Sequence, residues 1–242
     1  MPAGRKNRTL GRHEKNEQAA VLMNQMDFEQ ARFNMIEQQV RPWDVLDQQV
    51  LNVMGRIPRE AFVQEKYRAL AFADINIPLA HDQVMMEPKV EGRLLQALAI
   101  SQSDSVLEIG TGSGYLTACL AALGNHVTSH EIYPDLSQAA GEKLTANGCR
   151  NVTLIEDDAA GGIESGKRYD VIAVTGSLPE MRTTFHDNLT HGGRLFMITG
   201  TPPAMEAGLV TRIDDSHWKT ESLFETSLPP LVNAVPAQRF AL

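Results

Sequence analysis

Apolar residues recur at helical spacing near the start of the chain and form short continuous runs further along it. The segment 28–40, FEQARFNMIEQQV, predicts an amphipathic helix whose apolar face comprises Phe28, Ala31, Met35, Ile36 and Val40. Pro42 interrupts this pattern, and a second amphipathic helix is predicted to end around Gly55. A third helix is predicted to begin near Pro88, because proline is favoured in the first turn of a helix.

Beyond residue 100 the pattern becomes an alternation of strands and helices. The predicted strands are short and mostly apolar, and they span 105–109, 126–131, 152–156, 171–175 and 194–199. The predicted helices between them are 115–122, 135–146 and 181–188. Apolar strands that alternate with helices indicate an α/β fold with a doubly wound, mostly parallel sheet. Strand-like pieces in the segment 211–232 predict antiparallel strands at one edge of that sheet.

These patterns divide the chain into three parts. Residues 1–25 are polar and predict a flexible N-terminal extension. Residues 26–100 are predicted to form a helical N-terminal part, and residues 101–242 the domain that holds the sheet.

Three glycines at alternate positions, Gly110, Gly112 and Gly114, separate the first strand of the predicted sheet from the helix after it. In a doubly wound fold a nucleotide-like ligand binds at this first turn. Gly110 can adopt a backbone conformation closed to other residues, and Gly112 and Gly114 let a ligand approach the main chain. The helix that starts near Tyr115 offers free N–H groups to an anionic group. We therefore predict a cofactor site at this loop.

The spacing E-x-G-x-G-x-G, from Glu108 to Gly114, distinguishes between two classes of cofactor. A dinucleotide site would have G-x-G-x-x-G, and its last glycine position is here Tyr115. The observed spacing is that of the S-adenosyl-L-methionine (SAM) methyltransferases. SAM carries an amino acid where NAD carries a pyrophosphate, so Glu108 can bind its ammonium group directly or through water. Thr111 and Ser113 belong to the same predicted loop.

Acidic residues at two further strand ends support a SAM site. Glu131 ends the second predicted strand, about 20 residues beyond the loop, where an acid can bind both ribose hydroxyls. Asp157 follows the third strand, level with the expected adenine, and Asp158 is its alternative. Acids at three successive strand ends predict S-adenosyl-L-methionine as the cofactor.

Five stretches together resemble the protein-L-isoaspartate O-methyltransferase family. They are IPREAFV (57–63), VLEIGTGSGYLTACLAALG (106–124), NVTLIEDDAAGG (151–162), YDVIAVTGSLPE (169–180) and GGRLF (192–196). The resemblance implies a Rossmann-like, SAM-dependent methyltransferase whose N-terminal helical part covers the substrate. It also implies the family's reaction, which esterifies an isoaspartyl or D-aspartyl carboxylate in a damaged protein or peptide.

The sequence departs from the family in the segment before the SAM loop. Family members usually carry G-Q-T-I-S-x-P there, with hydroxyl residues beside the methyl group and the substrate carboxylate. The matching stretch is DQVMMEP, from Asp82 to Pro88. Gln83 and Pro88 match the family pattern, whereas Val84 and Met86 replace the Thr and the Ser. The chain is therefore identified as a divergent member that lacks both hydroxyls.

Methyl transfer to a carboxylate does not need a hydroxyl as a base. The carboxylate is already ionised at neutral pH, since its reference pKa is about 4, and it needs positioning in a dry pocket. Met85 and Met86 are predicted to form an apolar wall. The predicted catalytic residues are Gln83, Met86 and Thr175. Glu87 is predicted to face solvent at the start of a helix.

The missing hydroxyls leave two alternatives open. One is a SAM-dependent methyltransferase for another acceptor, such as a small molecule or RNA. The other is a non-catalytic member that binds SAM or a partner protein. A dinucleotide oxidoreductase is disfavoured by Tyr115 in place of the last glycine.

Composition and residue spacing exclude or disfavour several further classes of protein and of binding site. The formal net charge of -8 argues against general affinity for a nucleic-acid backbone. Cys119 and Cys149 form no CxxC pair, which disfavours a disulfide scaffold and fits a reducing compartment. No long apolar run or signal-peptide pattern is found, so we expect a cytoplasmic protein with no membrane partner. The histidines lack metal-ligand spacing, so no metal site is predicted, and His126 and His130 are assigned structural roles.

Overall fold

Nine strands form two sheets in the computed structural model, which describes residues 27–163, 166–181 and 183–234. The first sheet is an antiparallel pair, β1 (Ile77–Pro78) and β2 (Val84–Met85). The second contains β3 (Ser105–Ile109), β4 (His126–Glu131), β5 (Val152–Glu156), β6 (Tyr169–Leu178), β7 (Leu189–Thr201), β8 (Ala204–Arg212) and β9 (Trp218–Thr226). Its strand order is β5-β4-β3-β6-β7-β8-β9. The strands from β5 to β7 pair in parallel, and β8 and β9 add an antiparallel edge.

Helices precede the large sheet and connect its parallel strands. They are α1 (Gln48–Arg56), α2 (Arg59–Phe62), α3 (Pro88–Leu98), α4 (Tyr115–Leu123), α5 (Pro134–Ala146) and α6 (Thr183–Asp187). A helical segment at 27–35 continues into a π-helical turn (Ile36–Val40) and a 3₁₀ turn (Arg41–Trp43), and another 3₁₀ turn spans Glu65–Leu70. Asp47 caps α1, since its carboxylate accepts from the N–H groups of Gln49 at 2.7 Å and Val50 at 3.3 Å.

Both faces of the large sheet are buried, as β3 illustrates. Successive side chains of a strand point to opposite faces. Val106 belongs to an apolar cluster that continues into the helical N-terminal part, whereas Leu107 and Ile109 belong to a second cluster on the opposite face. Burial on two sides explains why consecutive residues of the central strands, such as Val106 and Leu107 in β3 and Val171 and Ile172 in β6, are apolar.

The predicted fold class is confirmed: a mostly parallel, doubly wound α/β sheet with a helical N-terminal part. The bounds of β3, β4 and β5 are those predicted, and the antiparallel edge is present. The predicted fourth and fifth strands are too short, because β6 and β7 continue beyond their apolar centres through Gly176 and Gly193. The extension predicted at 1–25 lies outside the described residues. Within the described ranges, no helix combines the length and the apolar character that crossing a membrane requires.

Candidate active site

A cleft of about 750 Å³, counted with its open mouth, lies at the carboxyl ends of β3, β4, β5 and β6. Ligands of doubly wound folds bind at this edge, beside the strand where the order of the sheet reverses. The cleft is lined by Leu79, Gln83, Val84, Met85, Met86, Ile109, Gly110, Thr111, Gly112, Ser113, Leu116, His130, Glu131, Ile132, Tyr133, Leu136, Asp157, Asp158, Ala159, Ala160, Thr175, Gly176, Leu231 and Val232. Most of the predicted site residues are therefore gathered around one cavity.

The turn after β3 is held by a side chain from β6. Gly110 has a φ of 98°, a value that L side chains rarely adopt, and a Cβ there would collide with the Thr175 hydroxyl. That hydroxyl lies 2.8 Å from the carbonyl oxygen of Ile109 and 2.6 Å from that of Gly110. The register between β6 and β7 shifts between Ala173 and Ser177, so β6 is irregular at Thr175. Thr175, predicted to be catalytic, thus contacts the loop through its hydroxyl.

Glu131 joins the end of β4 to the glycine loop. Its Oε2 accepts a hydrogen bond from the Gly112 N–H at 2.8 Å, and its Oε1 accepts one from the Tyr133 N–H at 3.1 Å. The side chain is almost completely buried from solvent yet lines the cleft. Each carboxylate oxygen has a second lone pair, so Glu131 can accept further hydrogen bonds from a ligand while it supports the loop.

The other loop residues differ in their positions. Thr111 and Ser113 line the cleft, whereas Gly114 does not. A Cβ at Gly114 would lie 3.1 Å from the Cβ of Ala140, so this glycine permits close packing of the loop against α5. The Thr111 hydroxyl lies 2.6 Å from that of Ser129 on β4.

Glu108 lies beneath the loop and is not among the cleft-lining residues. Its side chain is fully buried, and its Oε2 accepts hydrogen bonds from the hydroxyls of Thr117 and Ser129, both at 2.6 Å. Its Oε1 has no hydrogen-bond partner among the described residues. Burial raises the pKa of Glu108 to about 8; the two hydroxyl bonds oppose this shift and the charge of Glu131 adds to it. Glu108 is therefore mostly protonated at neutral pH.

Two acids that follow β5 in the chain also line the cleft. The Asp157 carboxylate is 2.6 Å from Nδ1 of His130, which also lines the cleft. Asp158 accepts hydrogen bonds from the N–H of Ala160 at 3.0 Å and from the side-chain amide of Asn233 at 2.8 Å. The structure thus brings both candidates, Asp157 and Asp158, to the cavity.

The segment from Gln83 to Met86 forms another part of the cleft wall. Val84 and Met85 form β2, and together with Gln83 and Met86 they line the cleft. The Gln83 side-chain amide donates to the carbonyl of His81 at 3.1 Å, within the turn that joins β1 to β2. This wall is therefore apolar except for Gln83.

The side chain of Glu87 lies outside the cleft. Glu87 precedes α3, its side chain is partly exposed, and its carboxylate pairs with Lys89 at 3.1 Å. This position agrees with the prediction that Glu87 faces solvent at the start of a helix.

Sequence reasoning missed the C-terminal segment of the described chain. The Leu231 N–H donates to the carbonyl of Ser177 at 2.9 Å, the Ser177 N–H donates to that of Pro229 at 3.0 Å, and Leu231 and Val232 line the cleft. Only the pair of prolines before Leu231 marked this segment as a possible turn. His130, assigned a structural role, also lines the cleft, and its position at the end of β4 was an available signal.

The cleft carries negative charge. Glu131, Asp157 and Asp158 line it, and no lysine or arginine does so among the described residues. Nor do the described residues form a group of three or more His, Cys, Asp or Glu side chains that could hold a metal ion. An acidic cleft favours a cationic ligand over one that carries a pyrophosphate.

Comparison with known proteins assigns the family. The model of the protein-L-isoaspartate(D-aspartate) O-methyltransferase family matches residues 30–235. A protein-L-isoaspartate O-methyltransferase of Rhodopseudomonas palustris is 36% identical over 201 residues, which cover 83% of this chain and 92% of that protein. One from Protochlamydia amoebophila is also 36% identical over 201 residues, covering 82% of this chain and 95% of that protein.

Solved structures show the same fold. A protein-L-isoaspartate O-methyltransferase structure aligns with a TM-score of 0.71 and 23% identity, over 82% of this chain and 65% of that longer one. A Plasmodium falciparum structure described as a putative member in complex with S-adenosyl-L-homocysteine aligns with a TM-score of 0.72 and 19% identity, over 84% of this chain and 97% of that one. The chain therefore belongs to the protein-L-isoaspartate(D-aspartate) O-methyltransferase family, a family of SAM-dependent methyltransferases.

Proposed function

We propose that this protein transfers a methyl group from S-adenosyl-L-methionine to the carboxylate of an isoaspartyl or D-aspartyl residue in damaged protein. The observation that carries the proposal is one acidic cleft, lined both by the glycine loop that is hydrogen-bonded to Glu131 and by the apolar residues of β2. Family membership supplies the acceptor class.

The residues of the cleft fit SAM better than a dinucleotide. Glu131 keeps lone pairs free for the two ribose hydroxyls, and Asp157 or Asp158 would bind at the adenine end. The main chain from Gly110 to Gly112 would hold the methionine part. When bound, SAM supplies a methyl group on a sulfonium cation. No lysine or arginine lines the cleft among the described residues, so a dinucleotide pyrophosphate would lack a permanent counter-charge.

The apolar wall suits a carboxylate acceptor. Val84, Met85 and Met86 present apolar side chains to the cleft. An acceptor carboxylate is ionised at neutral pH and needs no general base, so these side chains contribute positioning and a dry environment. The Thr175 hydroxyl already donates to the loop, so we assign it to holding Gly110 rather than to proton transfer.

A second candidate acceptor is favoured by one observation. The hydroxyl residues usual in the family are absent at Val84 and Met86, so the hydrogen bonds that would orient an isoaspartyl carboxylate are missing. A different acceptor, such as a small molecule or RNA, would not need them.

Transfer of labelled methyl from SAM separates these candidates. The acceptors are an isoaspartyl peptide, its aspartyl twin and total RNA, and SAM binding is measured by calorimetry on the same sample. Base-labile label on the isoaspartyl peptide alone supports the proposal. SAM binding with label only on RNA indicates the second candidate. SAM binding without label on any of these three acceptors contradicts the proposal and leaves a small-molecule acceptor or a non-catalytic member.

A further inference from the structure

Arg59 is a fully buried cation that bonds to three separate segments of the chain. Its Nε donates to the carbonyl of Ala71 at 2.8 Å, and its Nη2 donates to the carbonyl of Met86 at 2.6 Å. Its Nη1 forms an ion pair with Glu91 on α3, which is 2% exposed. All three guanidinium nitrogens therefore have a partner.

The same guanidinium contacts the first residue of the helix that follows the glycine loop. It lies 4.8 Å from the centroid of the Tyr115 ring, and Tyr115 begins α4 directly after Gly114. Phe62, from the same short helix α2, packs edge-on against that ring with centroids 5.8 Å apart. Helix α2 thus touches the main chain of the substrate wall at Met86 and the helix that follows the glycine loop.

Burying an ion pair costs desolvation free energy, and apolar residues of similar volume often stabilise a protein as well or better. Burial raises the pKa of Glu91 to about 7 even though Arg59 opposes the shift. A planar guanidinium can bond three acceptors in fixed directions, which neither an apolar side chain nor a lysine ammonium can do.

We propose that Arg59 is a positioning residue for methyl transfer, which holds the main chain of Met86 at a fixed place relative to the glycine loop. The inference rests on the proposed function, because Met86 lines the side of the cleft assigned to the acceptor. Arg59 thus contacts both the main chain of the acceptor wall at Met86 and the ring of Tyr115, the residue directly after the glycine loop. A small displacement of the acceptor relative to the donor lowers the rate of transfer strongly.

The test compares R59K with R194K. Arg194 donates to two carbonyls, those of Leu98 and Ala99, both at 2.9 Å, and to the carboxylate of Asp104 at 2.6 Å. It therefore makes the same kinds of bond as Arg59, but Arg194 pairs with Val171 near the opposite end of β6 and does not line the cleft. Both variants keep the positive charge but replace the planar guanidinium, with its N–H donors in fixed directions, by an ammonium group.

We expect R59K to lower kcat for an isoaspartyl peptide about tenfold to a hundredfold, with the Kd for SAM unchanged. R194K should retain the wild-type kcat at a temperature well below its Tm. A wild-type kcat for R59K, or an equal loss of kcat in R194K at matched Tm, would overturn the positioning role.

A second readout does not depend on the acceptor. The ¹³C-methyl NMR signal of Met86, assigned by its absence from the spectrum of M86L, should shift in R59K and stay in place in R194K. If the wild type methylates no isoaspartyl peptide, the proposed acceptor fails. The Met86 signal then tests on its own whether Arg59 positions Met86, and an unshifted signal in R59K refutes the inference.

Discussion

Replacing Glu108 with glutamine tests whether the acid beneath the glycine loop is protonated in the folded protein. The side chain is fully buried, and it lies within 2.6 Å of the hydroxyls of Thr117 and Ser129. Glutamine has nearly the same shape, and its amide oxygen can accept from both hydroxyls. The substitution therefore removes the titration of this position while it conserves the packing.

The expected magnitude follows from the difference between the folded and unfolded pKa values. Burial raises the pKa of Glu108 from 4.5 in the unfolded chain to about 8 in the folded protein. Between these values the folded state binds more protons than the unfolded state, so this acid makes the free energy of unfolding fall as pH rises. The slope is about 1.4 kcal/mol for each pH unit. From pH 5.5 to 7.5, E108Q should gain about 2 to 3 kcal/mol relative to wild type, because the slope decreases as pH approaches the folded pKa.

Urea unfolding at several pH values between 5.5 and 7.5 measures this gain directly. The control is E225Q, which removes one negative charge from an exposed position on β9. Any change that E225Q shares with E108Q reflects the general loss of one carboxylate and is subtracted. A constant difference between E108Q and wild type over the same range would mean that Glu108 is ionised in the folded protein, and the reasoning from burial would be refuted.

Three further variants test individual contacts. E131Q should raise the dissociation constant for SAM about tenfold to a hundredfold in calorimetry, since an amide can accept only one of the two main-chain hydrogen bonds; unchanged affinity would contradict its role. V84T/M86S should raise kcat/KM for an isoaspartyl peptide about tenfold by restoring hydroxyl contacts, and an unchanged value would show that this wall does not contact the acceptor. T175V should lower the free energy of unfolding by about 1 kcal/mol in urea, because the loop carbonyl of Gly110 loses its donor; a stability equal to wild type would argue against that bond.

Local patterns were sufficient to predict the parallel sheet and the glycine loop that lines the cleft. Strand β3 is mostly apolar and ends at a glycine turn, and both signals are contained in one short stretch of sequence. Glu131 could be predicted because the carboxyl ends of neighbouring parallel strands meet at one edge of the sheet. Each of these predictions needs only the order of elements along the chain.

Other features depend on contacts between distant segments and leave no local signal. Arg59 appears in the sequence as an ordinary charged residue, yet it is buried because Glu91 and the carbonyl of Met86 converge on it. Leu231 lines the cleft because its segment is hydrogen-bonded to Ser177, near the carboxyl end of β6. Such positions become predictable only once the tertiary arrangement is known.

The central claim is most directly tested by following the fate of an isoaspartyl peptide incubated with the wild-type protein and SAM. Esterification speeds closure to a succinimide, whose hydrolysis returns part of the peptide to the aspartyl form. We predict that chromatography detects aspartyl peptide that accumulates only when both the protein and SAM are present. An isoaspartyl peptide that stays unchanged while calorimetry shows SAM binding would contradict the claim.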